Sequence, residues 1–199
     1  MANVPKNAAD AKAFRMTNPR SAILTDATHF VGGAIATRLA TDGYAVYAAD
    51  PAFQQADARA AFETLAPGIT ALQHQSAEGI AAHVESLHGR IDLLASNDAW
   101  PAIRASVDDI ESVALHETFE ALVFKPFAFA RAVAKRMKPR GEGKIVFLTS
   151  AAPLNGLPNY TMYCAARGAM NAATKAMAKE LAAFNIQVNA IAPNFVANP

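Results

Sequence analysis

From residue 21 onward, short apolar runs alternate with helical stretches, and that alternation leaves few folds open to the chain. Residues 21–25 read as a buried strand, 31–41 as a helix, 44–48 as a second strand and 54–65 as a second helix. Residues 69–72 form a third strand, 77–87 a third helix and 91–96 a fourth strand. Helices are expected over 106–114 and over 117–137, the latter interrupted by Pro126. A fifth strand covers 144–149, a helix opens near Asn159, and a last strand runs from 186 to 191. Strands that alternate with helices build βαβ units, hence a parallel sheet with helices on both faces. Right-handed crossovers make this a doubly wound, Rossmann-like α/β fold over residues 21–199.

A length of 199 residues suits one domain, and 52% apolar against 18% charged residues is enough to bury its core. The formal net charge of +1 gives no pull toward nucleic acid or a membrane surface. No apolar run reaches the length of a membrane span. A single cysteine, Cys164, excludes an internal disulfide and a cysteine metal site, and it fits a reducing, cytoplasmic setting. The five histidines show no ligand spacing, so no metal is expected. Residues 1–20 are polar and alanine-rich, without the apolar segment of a secretory signal, and read as a flexible arm.

The chemistry concentrates between Ser150 and Arg167. Ser150 ends the fifth strand, at the sheet edge where α/β folds bind ligands. After a loop bearing Pro153, Asn155, Gly156 and Pro158, Tyr163 and Arg167 follow four residues apart, on one helix face. A tyrosine ionises only near pH 10 when unperturbed, about 10 in model peptides, and a neighbouring guanidinium favours the phenolate. A hydroxyl, a phenol and a permanent cation converging on one spot suit acid–base chemistry at an oxygen. Tyr160 is set aside because Cys164 stands where its cation should be. The spacing resembles the Ser…Tyr-x-x-x-Lys signature of the short-chain dehydrogenase/reductase superfamily, with Arg167 in place of the lysine.

The turn after the first strand departs from that superfamily. A dehydrogenase reads Thr-Gly-x-x-x-Gly-x-Gly there, so that the backbone can approach the cofactor pyrophosphate. Here Thr25 is followed by Asp26 at the first glycine position and Phe30 at the second, and only Gly32 remains. A carboxylate is expected to repel phosphate, and the benzyl group to fill the cofactor's space. Asp50, ending the second strand where an NAD enzyme holds the ribose, becomes a structural relic.

With Thr25, Phe30, Gly32, Ser150, Tyr163 and Arg167 in place, the chain resembles the halohydrin dehalogenases, cofactor-free relatives of the dehydrogenases. The resemblance implies a vicinal haloalcohol substrate, with Tyr163 as base, Ser150 orienting the substrate oxygen, and Arg167 favouring the phenolate and relaying its proton. The products are an epoxide and halide. In reverse, small anions such as halide, azide, cyanide or nitrite open epoxides. The resemblance also places halide against Phe30 and the stretch Pro193, Asn194, Phe195 and Val196, which otherwise reads as a plain strand exit. Trp100 walls the substrate pocket. Asp98 either pairs with Arg167 or ties down its loop, or it is an ordinary turn aspartate. A homotetramer is implied, through helices carrying Phe124, Phe127, Phe129 and Met170, side chains that equally suit core packing. The chain is about one strand–helix unit and a closing strand shorter than that family's usual length. Two rivals stand beside this reading: a divergent NAD(P)-dependent dehydrogenase, and a non-catalytic binding protein on the same fold.

Overall fold

The computed structural model describes residues 19–73 and 76–194. Most of the expected N-terminal arm, residues 1–18, lies outside that range, as do Phe195 and Val196. Six strands form one sheet: β1 (Arg20–Thr25), β2 (Tyr44–Ala49), β3 (Ile69–Leu72), β4 (Leu93–Ser96), β5 (Gly143–Leu148) and β6 (Ile186–Ile191). Every pairing is parallel, in the order β3-β2-β1-β4-β5-β6. The order reverses between β1 and β4, so the crevice at their carboxyl ends is where a doubly wound sheet binds its ligand.

Among the described residues seven α-helical segments connect the strands: α1 (Gly32–Thr41), α2 (Ala56–Glu63), α3 (Ala77–His88), α4 (Ser112–Phe119), α5 (Lys125–Met137), the single turn α6 (Ala152–Asn155) and α7 (Thr161–Ala182). They cover both faces. Ile23, Tyr47, Leu94, Ile145 and Phe147 point into one core with side chains of α3, α5 and α7. Their neighbours Leu24, Val46, Ala48 and Ala95 point the other way, onto α1 and α2. This period of two, apolar on both sides, is what parallel strands buried on two faces require. Among the described residues no helix is long and apolar enough to cross a membrane.

Three local expectations need correction. The segment 106–111 is turns rather than helix, because Ser106 bonds Asp109 through both its hydroxyl and its carbonyl. Such side-chain bonds compete with helical ones. Pro126 does not interrupt α5. The helical run is continuous from Ser112 into α5, and the proline is accommodated directly after a π-helical turn, Glu120–Phe124. The loop after β5 contains α6, opened by Pro153. The four aromatic and methionine side chains set against a tetramer contact divide: Phe129 and Met170 are core, whereas Phe124 and Phe127 lie 54% and 41% exposed.

Candidate active site

The first two turns of α7 carry Tyr163 and Arg167 against the carboxyl end of β5. Arg167 is buried, and its guanidinium donates to the Leu148 carbonyl from Nη1 at 2.8 Å and to the Asp98 carbonyl from Nη2 at 2.7 Å. Its central carbon lies 5.3 Å from the centre of the Tyr163 ring, within the range of a cation–π contact. Three elements thus hold one cation: the end of β5, the loop after β4 and the preceding turn of its own helix. Its Nε–H is buried without a partner.

Ser150 follows β5 and is likewise buried. Its hydroxyl accepts from the Ala152 N–H at 3.1 Å, and its carbonyl accepts from Asn171 Nδ2 at 2.9 Å. Asn171 stands four residues beyond Arg167, so Tyr163, Arg167 and Asn171 share one helix face. That spacing is a sequence signal for Asn171, missed because an amide carries no acid–base chemistry. The adjoining Ala151 N–H bonds the Pro193 carbonyl at 3.0 Å, which brings the exit of β6 beside Ser150. Pro193 is half-buried there and Asn194 exposed.

The turn after β1 keeps the backbone of a glycine turn without the glycines. Asp26 and Phe30 have φ of 45° and 51°, left-handed values that a bulky residue rarely adopts. These are the two positions at which glycine is replaced. Gly32 is retained for a steric reason: a Cβ there would lie 2.3 Å from the Ala27 carbonyl oxygen. Phe30 is 48% exposed. Asn97, fully buried after β4, holds the turn by donating from Nδ2 to the Asp26 and His29 carbonyls at 2.9 and 2.8 Å. Its N–H reaches the Thr25 hydroxyl at 3.0 Å, which gives Thr25 its supporting part.

Asp26 corrects the sequence argument. Its carboxylate is not a bare charge facing the crevice, because Lys125 of α5 pairs with both oxygens at 2.6 and 2.7 Å. One of those oxygens also accepts from the Ala99 N–H at 2.9 Å. Lys125 is 99 residues away along the chain, and no local pattern marks it. Asp50 is more than a relic. Burial pushes its carboxyl up, yet hydrogen bonds from the Thr28 and Ala52 N–H groups and the Thr28 hydroxyl hold it below the usual range. Its oxygens are engaged by the protein's own turn.

Asp98 does not pair side chain to side chain with Arg167. The guanidinium takes its carbonyl, while its buried carboxyl accepts from the Ser96 hydroxyl at 2.7 Å. Burial first, and Asp26 second, raise that carboxyl to about 7 against the opposing pull of Ser96, Lys125 and Arg167. Trp100 is half-buried, with its Nε1–H buried and unpartnered. It lines a hollow of about 410 Å³ with Ser76, Phe124 and Lys125 on the α4–α5 side. Ser150, Tyr163 and Arg167 do not line that hollow.

Residues 20–199 match the family model for short chain dehydrogenase. The curated dehydrogenase/reductase SDR family member 4 of Homo sapiens is 32% identical over 181 residues, covering 88% of this chain and 65% of that protein. The chain therefore spans just under two thirds of that relative's length. A solved structure described as a dehalogenation enzyme is 36% identical with a TM-score of 0.84, over 92% of this chain and 75% of that one. A halohydrin dehalogenase bound to ethyl (2S)-oxiran-2-ylacetate is 37% identical with a TM-score of 0.83, over 87% of this chain and 70% of that one.

Proposed function

Because the chain belongs to the short chain dehydrogenase family, we propose that it uses that fold without a nicotinamide, as a halohydrin dehalogenase acting on vicinal haloalcohols and, in reverse, on epoxides. The turn after β1 carries this reading. Its backbone is that of a dinucleotide turn, while Asp26 and Phe30 occupy the glycine positions and the turn's own residues engage Asp50. Likeness to a halohydrin dehalogenase at 37% identity supports the same conclusion.

In this reaction Tyr163, as phenolate, takes the proton of the substrate hydroxyl, and Ser150 donates a hydrogen bond to the same oxygen. The resulting alkoxide attacks the neighbouring carbon from the side opposite the halogen. The new carbon–oxygen bond closes the epoxide while the carbon–halogen bond breaks, and halide leaves with the electron pair. The proton passes from Tyr163 to solvent water, and Arg167, which has only N–H donors and cannot accept it, lends the site its charge and its unpartnered Nε–H. Arg167 is suited to the task because a guanidinium stays charged and, with two nitrogens fixed on carbonyls, cannot swing away. Halide rests against Phe30 and the Pro193–Asn194 exit of β6; Phe195 and Val196, expected to complete this pocket, lie outside the described residues. A weakly hydrated anion suits backbone N–H groups in an apolar, aromatic-walled recess. The enzyme works as a homotetramer, with Phe124 and Phe127 in the contact.

Halide release from a panel of chlorinated and brominated vicinal alcohols tests the activity directly, and calorimetric titration with NADH and NADPH tests its independence of cofactor. We expect epoxide and halide in equal amounts and no binding at millimolar nucleotide. Micromolar affinity for either nucleotide, with no halide released, overturns the proposal. It would favour an NAD(P)-dependent dehydrogenase, the second reading, which the likeness to dehydrogenase/reductase SDR family member 4 supports.

A further inference from the structure

Asp26 and Lys125 stand outside the catalytic set, yet they touch its support. Their side chains are 7% and 29% exposed, so the ion pair is largely withdrawn from water. The Asp26 oxygen nearest the ammonium also accepts from the Ala99 N–H, and Arg167 Nη2 donates to the Asp98 carbonyl. That N–H and that carbonyl are the two ends of one peptide group. The group is planar and rigid, so fixing its N–H end fixes the direction of its oxygen. It is also polarised in one sense from both ends: a carboxylate draws on its hydrogen, and a guanidinium draws on its oxygen. Hydrogen bonds aligned this way strengthen one another.

We propose that Asp26 and Lys125 act as one positioning pair, fixing Arg167 through the Asp98–Ala99 peptide group. This rests on the dehalogenase role given above to Arg167. The pair takes no part in bond making. It holds the peptide against which the guanidinium is set, and it sets the charge around the buried Asp98 carboxyl. The charged groups acting on that carboxyl are Asp26 from the turn after β1, Lys125 from α5 and Arg167 from α7. Asp26 and Lys125 act on it with opposite signs, which gives the pair a signature that loss of packing lacks.

The test compares Asp26→Asn, Lys125→Met, their double variant and Lys125→Arg in the 199-residue protein. Asparagine keeps an acceptor for the Ala99 N–H and tolerates a left-handed backbone. Lys125→Arg keeps the cation. The Asp98 carboxyl carbon is followed by NMR against pH, assigned with Asp98→Asn, together with the Arg167 side-chain N–H resonances. We expect Asp26→Asn to move the Asp98 titration to lower pH and Lys125→Met to move it to higher pH, with Arg167 resonances shifted in both. In haloalcohol turnover each should lower kcat about tenfold with KM within about twofold, and the double variant should be no worse than the poorer single one. Lys125→Arg should return most of the rate. Unmoved Asp98 and Arg167 resonances overturn the proposal, as do Asp98 shifts of the same sign in both variants. Should Lys125→Met fail to fold, by circular dichroism, Lys125→Gln takes its place in the comparison. A parent protein that releases no halide overturns the dehalogenase reading instead, while the resonances, which need no turnover, still decide whether the pair governs Arg167.

Discussion

Asp98 is the carboxyl on which this fold acts most strongly, and its effect on stability has a definite sign. Its value in the folded protein, about 7, lies above the ordinary 3.8. The folded state therefore binds that proton more tightly than the unfolded chain does. The stabilisation is complete below about pH 4 and is lost as pH rises through about 7. Asp98→Asn keeps an acceptor for the Ser96 hydroxyl and removes the titration. The stability of the parent minus that of the variant should fall across this window, by a few kcal/mol at most. Thermal melts of both proteins between pH 4 and pH 8 check this, and a constant difference would show that Asp98 does not titrate in that range. Tyr163→Phe bears on the reaction alone. Epoxide formation should fall at least a hundredfold while the melting temperature stays within a few degrees, since only the proton acceptor is lost. Retention of more than a few per cent of the rate would mean that another group is the base. Ser150, Tyr163 and Arg167 are legible in sequence because their spacing resembles the Ser…Tyr-x-x-x-Lys signature, while helix geometry alone says only that Tyr163 and Arg167 share a face. Lys125 is not, because its partner Asp26 meets it only after α5 packs across the sheet edge.

Among the elements, strands and long helices follow from the apolar period, and the short or irregular pieces do not. β1 to β6 lie within two residues of the sequence expectation, since a buried parallel strand is a continuous apolar run with little room for ambiguity. The segment 106–111 fails because its side chains, with Ser106 and Asp109, satisfy the backbone locally before a helix can start. The π turn Glu120–Phe124 fails for another reason: one extra residue in a turn rotates the apolar face of α5, and a fixed period cannot register it. At the start of α1, Gly32 is tested by substitution. Gly32→Ala places a methyl against the Ala27 carbonyl, and relief requires moving the backbone of the turn itself. The urea midpoint should fall by the equivalent of about 2 kcal/mol or more. An unchanged midpoint would show that the turn yields freely, and Gly32 would then have no steric role.

At the scale of the whole molecule, the alternating pattern makes the doubly wound sheet readable, while the state of its central crevice is not. Asn97 crosses from the β4 side to hold the β1 turn, and Ala99 does so through Asp26. These bonds join residues about seventy positions apart, beyond the reach of any local rule. The exposed side of the π turn and the start of α5 give the test of the proposed assembly. If the parent is the proposed tetramer, changing Phe124 and Phe127 together to aspartate should convert it to smaller species in analytical ultracentrifugation, at unchanged helix content. A single species of unchanged mass would place the contact elsewhere. The left-handed backbone at Asp26 and Phe30 has a consequence for how such a protein changes under selection. At Phe30 that strain costs about 1 kcal/mol that glycine would not, whereas an aspartate tolerates the left-handed region. Selection for heat resistance alone therefore pulls Phe30 toward glycine but not Asp26, whose bonds to Lys125 and the Ala99 N–H glycine would forfeit; on the proposed reading, selection for activity holds Phe30 in place as well. Heat-hardened descendants of this chain would drift toward glycine at position 30 unless activity were screened in every round.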